Sequence, residues 1–320
     1  MKDLVLFGDC RETLKEFDEK ARMCVTSPPY YGLRDYGGED SQIGQEESPE
    51  EYIQNLVKVF QEVRNQLTED GTLWVNIGDS YYNYRPGKGQ ALNKQSVSNT
   101  KQDLPDKCAR RGNKLEGLKE KDLIGIPWML AFALRADGWY LRQDIIWHKP
   151  NPMPESVKDR CTKAHEYIFL LSKNRKYYYD HESIKEKAVG ERWGGNKPIN
   201  MNNTKDTTNQ FSGLTRPRKM VYDKRNKRSV WKVTCRPYKG AHFAVYPPEL
   251  IEPCILAGSQ EGDIILDPFM GSGTTAMVAK KLGRHYMGCE LHEDYGNLII
   301  DRVPDEEVSQ EPTVNILDLI

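Results

Sequence analysis

The residues best suited to chemistry lie together in the short stretch Thr26-Ser27-Pro28-Pro29-Tyr30, where an apolar run ends in a hydroxyl group, two prolines and an aromatic ring. Proline has no backbone N–H and biases the preceding residue towards extended geometry, so Ser27 and Pro28 are expected to present oxygen acceptors from a nearly rigid turn. Tyr30 adds an aromatic face beside those acceptors. This combination suits a planar heterocycle that carries an amino group, and an ordinary proline turn is the alternative.

A second candidate site is the glycine-rich stretch DPFMGSGTT, which runs from Asp267 to Thr275 after a strand-like apolar run. A tight glycine turn at the end of a parallel strand is how α/β folds receive nucleotide-like ligands. No lysine follows Gly273, which disfavours a triphosphate-binding loop, and Ala276 stands where a dinucleotide fingerprint needs a third glycine. A nucleoside without a pyrophosphate remains. Glu290, at the end of the next predicted strand, is placed to accept hydrogen bonds from ribose hydroxyls.

Alternating strands and helices must position these two motifs, which indicates an α/β fold. Runs of strand-favouring residues predict strands at Leu4–Phe7, Met23–Val25, Thr72–Ile77, Tyr140–Trp147, Glu166–Leu171, Asp263–Leu266 and Arg284–Glu290. Helical spacing and start signals predict helices from Pro49 to Leu67, Ile126 to Leu134, Leu250 to Leu256 and Ala276 to Leu282. Asp9 follows the first strand, where it either meets a ligand at the sheet edge or caps a helix.

The composition is that of a globular protein without a metal site or a membrane span. The 320 residues carry a net charge of −1 and are 38% hydrophobic, enough for a substantial core. Seven cysteines without any CxxC pair fit neither a disulfide framework nor an ordinary zinc site, and the apolar runs are too short for a signal peptide or a bilayer crossing. We therefore expect a cytoplasmic protein in a reducing environment.

Charge is unevenly distributed along the chain. Between Leu214 and Gly240 there are ten basic residues and one acid, interleaved with Tyr222, Trp231 and Tyr238. Basic residues mixed with aromatics are typical of surfaces that bind nucleic acid phosphates, although a solvated face is the plainer interpretation. A second polar stretch, about residues 82–121, has no sustained period and is interpreted as a flexible insertion.

These motifs together resemble the β class of amino-methylating DNA methyltransferases, which use S-adenosyl-L-methionine. The matching runs are GDC at Gly8 to Cys10, TSPPY at Thr26 to Tyr30, WHKPNPMP from Trp147, HFAVYPPEL from His242, DPFMGSGTT at Asp267 to Thr275, and GCE at Gly288 to Glu290. The resemblance implies a Rossmann-like fold with a mostly parallel seven-stranded sheet and a circularly permuted motif order. It divides the chain into a catalytic half (1–172), a basic target-recognition region (173–240) and a cofactor-binding half (241–320).

The resemblance also implies roles for individual residues. Asp9 would contact the adenine amino group, Thr274 and Thr275 the methionine carboxylate, and Glu290 the ribose. The implied catalytic residues are Ser27, Pro28, Pro29 and Tyr30; the cofactor-binding residues are Asp9, Cys10, Phe243, Asp267, Phe269, Gly271, Ser272, Gly273, Thr274, Thr275 and Glu290; and the DNA-binding residues are Arg216, Arg218, Lys219, Arg225, Arg228 and Trp231.

The predicted reaction is methyl transfer to an exocyclic amino group of a base flipped out of double-stranded DNA. Within the family, serine at the position of Ser27 favours the N4 atom of cytosine, and adenine N6 is the alternative. No cysteine lies in a Pro-Cys context beside the pocket motif, which disfavours carbon-5 cytosine methylation through a thiolate. An RNA methyltransferase and a nucleic-acid-binding protein that only senses the cofactor are more remote alternatives. The sequence leaves open whether a restriction endonuclease or a second copy of the chain is a partner.

Overall fold

The computed structural model of the chain describes residues 2–32, 42–82, 115, 117–188, 224–235 and 246–303. Within these residues lies one large sheet, in the order β1-β10-β9-β2-β3-β5-β4-β8, and a small ribbon of β6 and β7. The strands are β1 (Leu4–Phe7), β2 (Ala21–Thr26), β3 (Leu67–Ile77), β4 (Tyr140–His148), β5 (His165–Ser172), β6 (Glu186–Lys187), β7 (Lys224–Arg225), β8 (Val230–Lys232), β9 (Ile264–Asp267) and β10 (His285–Glu290).

Helices cover both faces of the large sheet. They are α1 (Cys10–Thr13), α2 (Pro49–Gln66), α3 (Ile126–Ala136), α4 (Pro248–Gly258), α5 (Thr274–Lys281) and α6 (Gly296–Arg302). Alternate residues of β2 serve the two faces: Cys24 packs in the cluster that contains α2 and α3, whereas Met23 and Val25 pack in the cluster that contains α4 and α5. This period of two is the expected pattern for a strand buried on both sides.

The start of helix α2 follows from its sequence. The Ser48 side chain accepts a hydrogen bond from the backbone N–H of Glu51 at 3.1 Å, and Pro49 occupies the first turn, where its missing N–H costs nothing. The buried face of the helix includes Leu56 and Phe60, neither of which is exposed to solvent. The predicted helix start is therefore confirmed, and α2 forms a rigid support beneath the strands.

The sheet is mostly parallel, as predicted. Within the described sheet, β5 alone runs antiparallel to its neighbours β3 and β4, and the other strand pairs are parallel. Strands β9 and β2 lie side by side, and the order of the strands in the sheet reverses between them. From β9 the sheet extends through β10 to β1, and from β2 it extends in the opposite direction through β3. In open α/β sheets the crevice at such a reversal, beyond the carboxyl ends of the strands, is where ligands bind.

The number of strands differs from the prediction, and the predicted insertion lies mostly outside the described residues. The prediction of seven strands is wrong by one, because the three-residue strand β8 in the basic segment adds to the edge of β4, with Trp147 opposite Trp231. Such a short strand has no periodic signal of its own. Most of the predicted insertion at 82–121 and residues 189–223 lie outside the described residues. In the described parts of the chain, no helix combines the length and hydrophobicity that a bilayer crossing requires.

Candidate active site

Asp267 ends strand β9 and organises the glycine-rich turn that follows it. Its side chain is 1% exposed and accepts hydrogen bonds from the backbone N–H of Phe269 and from three hydroxyl groups. These hydroxyls belong to Thr26 (2.6 Å), Thr275 (2.5 Å) and Tyr246 (3.0 Å). Burial raises the pKa of Asp267, although the hydrogen bonds oppose this effect. The carboxyl group therefore links the turn to the end of β2.

The turn itself needs glycine at two positions. Gly271 and Gly273 have φ angles of 55° and 79°, in the left-handed region, and a side chain on Gly273 would meet the Ile299 backbone at 3.2 Å. Gly273 caps helix α5, so Thr274 and Thr275 open that helix and leave its first N–H groups directed towards the crevice. The turn thus provides close backbone approach and donor groups for a ligand.

Glu290 lies at the end of β10 and contacts this turn directly. Its carboxylate accepts hydrogen bonds from the backbone N–H of Gly271 at 2.7 Å and of His292 at 3.0 Å. Burial raises the pKa of Glu290 to about 7. The neighbouring His292 Nε2 is buried and has no hydrogen-bond partner among the described residues. An acceptor carboxylate, an unsatisfied ring nitrogen and a glycine cradle fit a ligand with ribose hydroxyls.

Asp9 and Cys10 follow strand β1 at the same edge, where the backbone N–H of Gly8 donates to the Glu290 carbonyl at 2.8 Å. The Asp9 carboxylate caps helix α1 by accepting from the Arg11 N–H at 2.9 Å, and it forms an ion pair with the Arg11 guanidinium. Burial acts to raise the pKa of Asp9, but the Arg11 contacts outweigh it and lower the pKa. Burial raises the pKa of the Cys10 thiol well above its usual value, so this thiol is not a thiolate nucleophile.

The stretch from Ser27 to Tyr30 continues directly from β2, which pairs with β9 through Met23 and Cys24. The two candidate motifs therefore meet at adjacent strand ends, as the topology requires. Helix α2 fixes the turn, because the Tyr52 hydroxyl donates to the Pro29 carbonyl at 2.7 Å. The residues that follow β2, starting with Ser27, therefore lie beside the glycine-rich turn that follows β9.

The Tyr30 ring lies against the end of β3. A side chain on Gly78 would approach Tyr30 Cε2 to 2.7 Å, so the glycine lets the backbone pack directly on the ring. A cleft beside the ring is lined by Tyr30, Tyr31, Gly78, Asp79, Ser80 and Ile126. Asp79 also caps helix α3, since its side chain accepts from the backbone N–H groups of Gly125 and Ile126 at 3.0 and 3.1 Å.

The Tyr30 hydroxyl is held by polar groups that sequence reasoning did not single out. It donates to Glu166 Oε2 at 2.8 Å, and Asn76 Oδ1 is a second, more distant acceptor at 3.5 Å. Burial, reinforced by the neighbouring Glu166, raises the pKa of Tyr30 well above its usual value. Lys149 forms an ion pair with the other oxygen of Glu166. One signal for this cluster was present, because Lys149 stands in the WHKPNPMP run that matched the family without a role.

The basic segment from Lys224 to Cys235 flanks this edge of the sheet. Arg225 and Arg228 both contact Glu186 Oε1, at 2.8 and 2.6 Å. The prediction that Trp231 contacts DNA is corrected, because its ring is only 6% exposed and its Nε1 donates to the Arg228 carbonyl at 2.7 Å. The other predicted residues Phe243, Arg216, Arg218 and Lys219 lie outside the described part of the chain.

Comparisons with known proteins agree with this arrangement. A family model described as DNA methylase, for N6 and N4 methyltransferases, matches residues 21–301. Type II methyltransferase M.SmaI of Serratia marcescens is 47% identical over 93% of this chain and 90% of its own length. Type II methyltransferase M.Cfr9I of Citrobacter freundii is 45% identical over 94% of this chain and 88% of its own.

Two solved structures share the fold. The PvuII DNA methyltransferase (cytosine-N4-specific) superposes with a TM-score of 0.61 at 18% identity, covering 95% of this chain and 87% of that one. A putative DNA modification methylase from Thermus thermophilus, solved with S-adenosyl-L-methionine, gives a TM-score of 0.56 at 22% identity and covers 95% of each chain. The family match spans most of the sequence and includes both motifs of the crevice. The chain belongs to the N6/N4 DNA methylase family.

Proposed function

We propose that this chain is a Type II DNA methyltransferase that transfers a methyl group from S-adenosyl-L-methionine to the N4 atom of cytosine in double-stranded DNA. The observation that carries the proposal is the junction of β2 and β9. There Ser27 and the glycine-rich turn stand on adjacent parallel strands that are tied together by the Thr26–Asp267 hydrogen bond of 2.6 Å. A substrate group held at one motif is therefore close to a ligand held at the other.

The cofactor half of the crevice is proposed to hold the nucleoside and the amino-acid ends of the methyl donor separately. Glu290 would accept from the ribose hydroxyls, and the N-terminus of α5 at Thr274 and Thr275 would bind the methionine carboxylate. Asp9 would accept from the adenine amino group beyond its capping bond. The remaining wall of this pocket is assigned to Cys10, Phe243, Asp267, Phe269, Gly271, Ser272 and Gly273. The donor supplies an electrophilic methyl group on a sulfonium ion.

The catalytic half is proposed to activate the amino group. Its nitrogen shares its lone pair with the aromatic ring and is a poor nucleophile until acceptors draw its protons aside. Ser27 Oγ and the Pro28 carbonyl would accept hydrogen bonds from the amino group. The rigid Pro29 would keep these two acceptors in place. The base would stack on Tyr30, opposite the side that Gly78 supports. Base flipping is needed because the amino group is paired inside a duplex.

Duplex DNA is proposed to lie along the basic segment, with Arg225 and Arg228 at its phosphates. Residues 224–235 carry five basic side chains and no acid, and β8 places them beside the carboxyl end of β4. Arg216, Arg218 and Lys219 would extend this surface as part of the target-recognition region. The relatives are named Type II methyltransferases, which supports a cognate restriction endonuclease as a biological partner.

A nucleoside analysis tests the proposal. Duplex DNA of mixed sequence is incubated with the protein and S-adenosyl-L-methionine, digested to nucleosides and examined by mass spectrometry. We expect N4-methylcytosine, and we expect Ser27→Ala to lower its formation by about two orders of magnitude because the amino protons lose an acceptor. If N6-methyladenine forms and N4-methylcytosine does not, the target is adenine N6 and the proposed cytosine specificity is wrong. Sequencing of the methylated products then maps the recognition site.

A further inference from the structure

Helix α5 begins with two threonines whose hydroxyl groups have different surroundings. The Thr275 hydroxyl is engaged inside the protein, because it donates to Asp267 Oδ2 at 2.5 Å, contacts the Tyr246 hydroxyl and is not exposed to solvent. The Thr274 hydroxyl instead meets the guanidinium of Arg302, whose Nη1 lies 2.6 Å from Thr274 Oγ1. The two hydroxyls therefore cannot act in the same way towards a ligand.

Arg302 reaches the glycine-rich turn because helix α6 packs directly on that turn. A side chain on Gly273 would meet the Ile299 backbone at 3.2 Å, and Ile299 itself is not exposed. Arg302 follows Ile299 by three residues in α6, so the two side chains lie on the same face of the helix. Nη1 of Arg302 also donates to the Ser272 hydroxyl at 2.8 Å and lies 3.3 Å from the Ser272 carbonyl. The guanidinium thus joins the residues on either side of Gly273.

The contact with Arg302 determines what the Thr274 hydroxyl can offer. A guanidinium has only N–H groups, so Thr274 Oγ1 must accept from it. Among the described residues, Arg302 is the one hydrogen-bond partner of this hydroxyl. The hydroxyl proton therefore remains available for an acceptor. A carboxylate has only acceptor lone pairs, and both the N-terminus of α5 and the guanidinium favour a negative group beside them.

We infer that Arg302 is a positioning residue for the methyl donor, which makes the Thr274 hydroxyl a hydrogen-bond donor to the carboxylate of S-adenosyl-L-methionine. This inference rests on the proposed function, which places that carboxylate at the N-terminus of α5. It adds a residue that neither motif contains and separates the roles of the two threonines. Thr274 donates through its hydroxyl, whereas Thr275 has only its backbone N–H to offer.

Two ligands that differ only in the carboxylate test this role. S-adenosyl-L-methionine and its decarboxylated form are titrated calorimetrically into the whole chain without DNA. Arg302→Met should weaken binding of S-adenosyl-L-methionine about 10-fold, because the carboxylate loses an oriented, charge-assisted donor. Binding of the decarboxylated form should change less than about twofold, because it presents no anion to the turn. Arg302→Lys keeps the charge and a donor and should restore part of the affinity.

The matched control is Arg22→Met. Arg22 is also half-buried and contacts two carboxylates, Asp70 at 2.5 Å and Asp263 at 3.2 Å, but it lies near the amino end of β2. Its loss removes comparable contacts at the edge of the sheet opposite to the crevice. Both ligands should therefore bind to Arg22→Met as they bind to the unaltered chain.

Thr274→Val separates the hydroxyl from the rest of the turn. It should lose affinity for S-adenosyl-L-methionine and not for the decarboxylated form, and it provides the test if Arg302→Met does not fold. Adding Arg302→Met to it should give a loss clearly smaller than the product of the two separate losses, because both changes remove the same donor.

The outcomes distinguish the inference from the proposed function. An equal loss of affinity for both ligands in Arg302→Met, or independent losses in the double variant, would overturn the inference alone. An unaltered chain that binds both ligands equally would also remove the carboxylate from the N-terminus of α5. An unaltered chain that prefers the carboxylate-bearing ligand through Arg302 but methylates no DNA would overturn the proposed function and leave the inference standing.

Discussion

Glu290 shows how burial can prepare one side chain for a ligand. Its carboxyl group is 7% exposed, and two backbone N–H groups alone do not offset the loss of solvent. Its pKa is consequently raised to about 7, so near neutral pH the group is divided between its neutral and ionised forms. Ribose hydroxyls would supply the donors that the ionised form lacks. Ligand binding and ionisation of Glu290 should therefore be linked.

This linkage predicts a pH dependence of cofactor binding. The affinity of the protein for S-adenosyl-L-methionine should increase between about pH 6 and pH 8, because hydroxyl donors favour the ionised carboxylate over the neutral acid. Calorimetric titrations across this range provide the measurement. Glu290→Gln should bind more weakly at pH 8 and should show little dependence on pH. A wild-type affinity that does not change with pH would contradict the assigned contact.

The same group predicts a pH dependence of stability without the cofactor. The folded-state pKa of about 7 lies above the ordinary value of 4.5, so the stabilising contribution is complete below pH 4.5 and is lost as the pH rises to about 7. The reason is that the unfolded chain releases this proton first. Urea unfolding of the cofactor-free protein should show a steeper fall in free energy over this range than Glu290→Gln shows. Parallel curves for the two proteins would exclude the effect.

Gly78 permits the backbone of β3 to support the Tyr30 ring, which leads to a prediction about geometry. Gly78→Ala would place a methyl group 2.7 Å from Tyr30 Cε2 and push the ring aside. We expect methyl transfer to fall about 10- to 100-fold, since a displacement of about 1 Å at a reacting group has effects of this size. Cofactor affinity should stay unchanged because the cofactor turn lies on the other flank of β2. Equal losses in both measurements would indicate general misfolding instead.

At the scale of elements, the adjacent ends of β2 and β9 depend on one buried hydrogen bond. Thr26→Val keeps the shape and the strand preference of the side chain but removes the donor to Asp267. The expected loss is about 1–3 kcal/mol in the free energy of unfolding, measured in urea, with weaker cofactor binding. Thr72→Val is the control: it removes a buried hydroxyl from β3, which accepts from Trp74 Nε1 at 3.1 Å, away from the carboxyl edge. That variant should lose stability without losing cofactor affinity.

Elements with strong local signals were predictable from the sequence. Helix α2 begins with a capping serine and a proline, and strands β3 and β5 contain apolar runs that predict a strand directly. Strand β8 was not predicted, because three residues in a basic segment have no local pattern and form a strand only through pairing with β4. Trp231 was misassigned for the same reason: its neighbours in sequence are polar, whereas its neighbours in space form the core.

In the candidate site, too, some residues were predictable from the sequence and others were not. Both motifs were predicted because their glycines, prolines and acids follow strands directly, and topology then placed them side by side. The groups that hold the motifs were not predicted. Tyr52, Tyr246 and Glu166 each make their decisive contact with a residue far away in the sequence, and such contacts leave no periodic signal.

At the scale of the whole molecule, the distribution of charge matters more than its sum. The net charge of −1 would not attract DNA, yet residues 224–235 carry five basic side chains without an acid. Strand β8 brings this segment to the edge of the sheet that holds Ser27 and Tyr30, because Lys232 is opposite His148. Polyanion binding is therefore expected at one edge and not over the general surface.

The salt dependence of DNA affinity tests this asymmetry. Each phosphate contact releases counterions from the duplex, so log K should fall with log salt concentration by about 0.9 per contact. Arg228→Ala and Lys232→Ala should each weaken binding at low salt and reduce the slope by roughly one such step. Lys281→Ala is the control, because Lys281 ends helix α5 on the side of the sheet away from the crevice and pairs with Glu252. Identical salt slopes for all three variants and the unaltered chain would show that the basic segment does not contact DNA. A reduced slope for Arg228→Ala and Lys232→Ala alone would place the DNA backbone beside the catalytic edge.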